Sequence, residues 1–291
     1  MVGSAGFLAM VGSFVDSHVH FWDPSVLAYR WLAAEPVIAG PHRPEELAAE
    51  AGAEGPRQVV FVQAECDRAQ ALEEVAWVSR LAKGEPRIAG IVAFAPVDEG
   101  EETLRALDRL REYPLVRGVR HLIQGSPDPD FCRRPAFVEG VRAAGERGLS
   151  FDLCIRHAQL PAATDLARAC PETQLVLDHA GKPDIRGGRL DPWREHLRAI
   201  AALPHVACKL SGLVTEADAA RWTVDDLRPY AAHVLDAFGP KRVLFGGDWP
   251  VVKLASTYAR WLAAADALIE GLAPADRDAV FSDNARRTYR L

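Results

Sequence analysis

Short, β-rich apolar runs recur eight times along the chain, with stretches of helical periodicity between them. The runs are FVDSHVH (14 to 20), VVFVQAE (59 to 65), IAGIVAFA (88 to 95), VRGVRHLI (116 to 123), LSFDLCI (149 to 155), QLVLDHA (174 to 180), HVACKLS (205 to 211) and RVLFGGD (242 to 248). Amphipathic stretches such as 67 to 84, 101 to 113 and 133 to 148 separate them. A switch from period 2 to period 3.6 marks β/α units and a parallel sheet. Eight units within roughly 250 residues predict an α/β chain folded as a single (β/α)8 TIM barrel. A doubly wound open sheet would carry a Gly-rich phosphate loop after its first strand. Here that strand is followed by HFWDPS. The expected layout is an N-terminal extension at 1–13 and a barrel domain at 14–291. Prolines 24, 36, 41 and 44 mark a long loop over the barrel mouth, and 274 to 290 reads as a closing helix.

The 291 residues carry 40 acidic and 34 basic side chains, a net charge of −6. Phosphate binding needs a basic surface, so a nucleic-acid partner is not expected. No apolar run reaches the ~20 residues that span a bilayer, and the start of the chain lacks the pattern of a secretory signal. Five scattered cysteines without a CxxC read as reduced core residues, which predicts a cytoplasmic protein. Acidic residues at 99 to 102 and the pair Asp225-Asp226 suit helix starts, and Arg286-Arg287 suits a helix end.

In a barrel of this kind chemistry is built at the C-terminal ends of the strands. The first strand ends in His18-Val-His20, whose spacing puts both imidazoles on one face. Gln63 and Glu65 end the second strand, Arg120 the fourth, Asp178-His179 the sixth, and Gly246-Gly247-Asp248 the eighth. Lys209 and Ser211 share a face of the seventh. Parity on the fifth strand aims Asp152, Cys154 and Arg156 inward; whether Arg156 or His157 reaches the site stays open. Polar groups on otherwise apolar strands are costly unless they serve one another or a ligand. A His/His/Asp set suits zinc or manganese.

In chain order, DSHVHFWD, GVRHLI, LVLDHAGKP, CKLSGLVTEA and LFGGDWPV resemble the amidohydrolase superfamily, and within it the sugar-lactone hydrolases of the L-fuconolactonase and L-rhamnonolactonase type. The resemblance runs from about Phe14 to Tyr289. It implies a barrel that opens lactones with water, working on carbohydrate-derived small molecules. By position, His18, His20, His179 and Asp248 match the metal and catalytic set. Arg120 stands where many amidohydrolases have a bridging Lys or Glu. That departure implies one divalent metal, zinc first, or none required, and argues against a two-metal centre.

In such a reaction Asp248 would be the general base and His18 and His20 would polarise the ester carbonyl. His179 would hold the water or complete the metal shell. Arg120, Trp22, Glu65, Arg156, Lys182 and Trp249 are the substrate-binding candidates. Arg120 has a competing reading as an interior ion pair to Glu65 or Asp152, and Glu65 could instead orient His18 or His20. A lactone isomerase or metal-dependent decarboxylase on the same scaffold, and a non-catalytic small-molecule binding barrel, are the rival readings. Neither the choice of lactone nor self-association into a homo-oligomer is readable from these residues.

Overall fold

A computed structural model describes residues 14–291. The expected extension at 1–13 lies outside the described residues. Eight strands form one parallel sheet in sequential order: β1 Val15–Val19, β2 Gln58–Val62, β3 Ile88–Phe94, β4 Val116–Arg120, β5 Ser150–Leu153, β6 Leu175–Leu177, β7 Val206–Leu210 and β8 Val243–Phe245. Seven of them lie inside the sequence runs, and β2 begins one residue before its run. The connecting helices include Ala71–Leu81, Glu101–Leu110, Pro135–Glu146, Leu160–Ala169, Trp193–Ala201 and Val224–Phe238. Near-continuous burial along the strands fits a parallel sheet covered by helices. The chain is a (β/α)8 barrel.

β1 and β8 meet through backbone hydrogen bonds beyond the regular ladder. Asp248 N–H donates to His18 O at 2.8 Å, and His20 N–H donates to Trp249 O at 2.7 Å. The Ser17 hydroxyl adds a 2.6 Å bond to Phe245 O. Closure of the barrel therefore sets His18, His20 and Asp248 side by side.

Inside the barrel, Val15, Val60, Val62, Val92, Val176, Ala207 and Leu244 form an apolar layer against Ala285, Tyr289 and Leu291. The C-terminal segment thus plugs the strand starts, leaving the strand ends for chemistry. It is not one regular helix: Pro274–Asp278 runs into a π-helical turn, Ala279–Asp283, and then Asn284–Tyr289. The loop after β1 carries short 3-10 turns at Arg30–Ala34 and Pro36–Ile38 and is pinned by an antiparallel bridge between Trp22 and His42. The acidic residues open helices as expected, with Asp226 accepting from both the Thr223 hydroxyl and its N–H.

Candidate active site

A buried charge network lies above the apolar layer. Lys209 is fully buried, with Nζ 2.6 Å from Asp152 Oδ2, 3.0 Å from Asp178 Oδ1 and 3.0 Å from His18 Nδ1. Tyr289 donates to Asp152 Oδ2 at 2.8 Å. Arg120 reaches Asp178 Oδ2 at 3.2 Å through Nη1 and the Gln63 carbonyl at 2.7 Å through Nη2. The interior ion pair of Arg120 is therefore with Asp178, neither with Glu65 nor with Asp152. Burial works against the ammonium of Lys209, but Asp152 and Asp178 outweigh it and hold its pKa above the ordinary lysine value. Burial likewise opposes ionised Asp178, yet Lys209, His18 and Arg120 keep its carboxyl well below the usual range.

On this platform stand the two first-strand histidines. His18 Nε2 and His20 Nε2 are 3.2 Å apart. Asp248 Oδ1 lies 3.7 Å from the first and 3.5 Å from the second. His20 is oriented by the Val62 carbonyl, 2.7 Å from Nδ1, rather than by Glu65. A carbonyl only accepts, so Nδ1 carries a proton and Nε2 is left facing His18 and Asp248. Burial and Lys209 push His18 well below the ordinary imidazole value, with Asp178 opposing. Burial lowers His179 to about 4, against the pull of Asp248. For Asp248, burial acts upward but His179, His20 and His18 outweigh it, leaving the carboxyl below its usual value. Near neutral pH the set is an ionised carboxylate with His18 and His179 neutral.

These are the protonation states that metal ligands require. The three distances also fit: tetrahedral zinc with bonds of roughly 2.0–2.1 Å has ligand-to-ligand edges of about 3.3 Å. His18, His20 and Asp248 together could hold one cation. A second convergence, His18 with Asp178 and His179, shares His18. Its carboxylate already neutralises Lys209 and Arg120, which makes the first set the better cation site. The structure does not gather all four residues expected as ligands into one group. His179 stands beside them, its Nδ1 2.9 Å from the Ser211 hydroxyl and 4.0 Å from Asp248 Oδ2.

Glycines make these approaches fit. A Cβ on Gly212 would lie 2.5 Å from His179 Nδ1, and one on Gly247 would lie 2.2 Å from Asp16 Oδ2. Asp16 in turn accepts from Gly247 N–H at 2.7 Å, His18 N–H at 3.0 Å and the Tyr258 hydroxyl at 2.8 Å. This buried carboxyl buttresses both halves of the seam. Its role escaped sequence reasoning, although it opens the DSH motif.

Above the three residues is a cavity of about 270 Å³. His20, His179 and Asp248 line it, with Arg120, Glu65, Lys182 and Trp22 from the sequence-predicted set. Trp31, Leu122, Gln124 and Val251 complete the wall and were not singled out from the sequence, while Cys154 joins them on the inward side that strand parity predicts. Trp31 comes from the loop over the mouth, where its indole N–H donates to Ala64 O at 2.8 Å. Four lining residues, Glu65, His179, Lys182 and Asp248, have positive φ, between 52° and 57°. Such backbone is unfavourable for these side chains and persists only where the surroundings hold it.

Two of the expected binding residues lie elsewhere. β5 ends at Leu153, so its alternation stops before Arg156, which is exposed at the start of the short turn His157–Gln159. Neither Arg156 nor His157 lines the cavity. Trp249 is fully buried, packed against Phe21 and His42, with its indole N–H donating to Glu50 at 2.9 Å. Trp22 does line the cavity, but its indole N–H is used by Ile38 O and Gly40 O.

A (β/α)8 barrel with a His-x-His pair and a carboxylate converging at its closing seam defines the class of barrel enzymes with a candidate one-metal site. Residues 15–291 match the family described as amidohydrolase, and the chain belongs to it. It is 37% identical over 294 residues to an L-fucono-1,5-lactonase from Burkholderia multivorans, covering 95% of this chain and 96% of the relative. An L-fucono-1,5-lactonase from Burkholderia ambifaria is 32% identical, with 95% of each covered. Among solved structures, an amidohydrolase from Burkholderia multivorans with bound zinc superposes with a TM-score of 0.86 at 34% identity, over 96% of this chain and 99% of the other.

Proposed function

We propose that the chain hydrolyses a sugar-acid lactone, an aldonolactone such as L-fucono- or L-rhamnono-lactone, by attack of water on the ring ester. The observation that carries this reading is the convergence of His18, His20 and Asp248 beneath the cavity. The named activities of the relatives support the bond type, and the relative with bound zinc supports zinc as the cation.

His18 and His20 would hold one divalent cation together with Asp248. Bound there, it supplies Lewis-acid polarisation of the ester carbonyl and a more acidic water. Asp248, ionised near neutral pH, takes a proton from the attacking water. His179, backed by Ser211, orients that water. The new carbon–oxygen bond forms, the ring carbon–oxygen bond breaks, and the proton held by Asp248 passes to the leaving alkoxide. Trp22 and Trp31 furnish an apolar wall for the sugar ring, and Lys182 a polar rim.

A pH-indicator screen of fucono-, rhamnono-, galactono- and arabinono-lactones, with and without chelator, tests the reading. Acid release from at least one lactone, weakened by chelator, is expected. No release from any of them would overturn it.

A further inference from the structure

Glu65 ends the second strand in a conformation that its side chain does not favour, φ 57°. The surroundings hold it firmly. Its N–H donates to Gln63 Oε1 at 2.7 Å, and Gln63 Nε2 donates back to Glu65 Oε1 at 2.7 Å. Ala64 is fixed on both sides, its N–H donating to Glu74 at 3.1 Å and its carbonyl accepting from Trp31. Arg120 clamps the Gln63 carbonyl. A strained residue held by this many bonds, on a cavity wall, is the arrangement that a preorganised ligand contact requires.

The charges around the cavity point to what it contacts. Arg120 is neutralised by Asp178, and Lys182 pairs with Glu216 at 3.5 Å. Among the described residues no salt bridge engages Glu65, though Arg120 attracts it at longer range, and its one side-chain hydrogen bond is at Oε1. Besides Asp248, which the proposed cation would neutralise, the wall thus presents one carboxylate outside any close ion pair, an acceptor for hydroxyls and a repeller of anions.

We infer that Glu65 selects neutral, polyhydroxylated lactones over lactones that carry a free carboxylate, by accepting hydrogen bonds from substrate hydroxyls. The inference rests on the lactonase reading and names the substrate class within it. Arg120, a substrate-binding candidate in the sequence, lines the same cavity, but its guanidinium is already paired with Asp178.

The test compares kcat/KM for a neutral aldonolactone and for glucarolactone, which carries a carboxylate, in the native protein and in Glu65→Gln. Calorimetric binding of the matching neutral and carboxylated lactams runs alongside and needs no turnover. The native protein should prefer the neutral lactone by about 100-fold or more. Glu65→Gln should lose about tenfold on it, chiefly in KM, and narrow the preference to about tenfold, as expected for a lost bond to a charged acceptor. An unchanged preference and KM in Glu65→Gln would overturn the inference and leave the lactonase reading standing. So would a native preference for glucarolactone, whatever the variant does. If neither lactone is hydrolysed but the lactam affinities shift as described, the lactonase reading fails and the role of Glu65 in selecting ligands stands. If no lactam binds either, both fail.

Discussion

His18 and His20 face each other through their Nε2 atoms at 3.2 Å, with Asp248 Oδ1 within 3.7 Å of both. Three acceptor-capable atoms so close, in a fully buried position for His18, need a shared proton or a cation between them. A cation of zinc size fits the spacing. One equivalent of divalent metal per chain is expected by elemental analysis. His20→Ala should weaken zinc binding at least about tenfold, given that even outer partners of such ligands are worth that much. Equal zinc affinity in the variant, measured by competition with a chromophoric chelator, would show that the cation sits elsewhere.

Among the described residues, Asp248 is the one carboxylate of the cavity floor that touches the histidine pair without serving a lysine or arginine. Asp248→Asn keeps its shape and removes its basicity. On the leading lactone substrate, kcat should fall by about 10²–10⁴, the usual contribution of a positioned base. Far-UV circular dichroism and the melting temperature should stay close to native. Turnover retained within a few-fold would remove Asp248 from the base role.

Lys209 makes two ion pairs with both partners fully buried. Lys209→Met would leave Asp152 and Asp178 facing each other without their shared cation. Removing one member of a buried pair costs about 3–5 kcal/mol, which urea unfolding should record. Arg198 and Asp236 provide the contrast, a pair 63% and 64% exposed. Arg198→Ala should change stability by about 1 kcal/mol or less. Similar losses in the two variants would mean that water reaches Lys209.

The barrel was legible because eight apolar runs alternate with helical periods, and that alternation is a local property. The histidine pair, His179 and Asp248 were legible because strand ends can be read directly. Partners across the barrel were not. Asp178 could be seen beside His179, but that it neutralises Arg120 and Lys209 depends on how three strands register. Arg156 was misplaced because parity was extended past the end of β5. Trp249, a substrate-binding candidate in the sequence, follows Asp248 directly, but the turn at the strand end directs it into packing against Phe21 and His42. Asp16 sits in the stretch where the β1–β2 ladder shifts register. Simple alternation does not reveal its bonds to Gly247 and Tyr258.

Glu74 offers a pH-dependent test of the support beneath Glu65. Its side chain is fully buried and Oε1 accepts from Ala64 N–H. Burial pushes its carboxyl from 4.5 up to about 7, with the Ala64 bond opposing. Between those values the folded chain holds a proton that the unfolded chain has released. Stability should therefore fall as pH rises through this window, by up to about 1.4 kcal/mol per pH unit from this group. Glu74→Gln keeps an acceptor for Ala64 and abolishes the titration. Its stability relative to the native protein should rise from about pH 5 to about pH 7 in urea melts. A difference that stays flat across the window would mean that Glu74 titrates as it does in the unfolded chain, and that water enters behind the second strand.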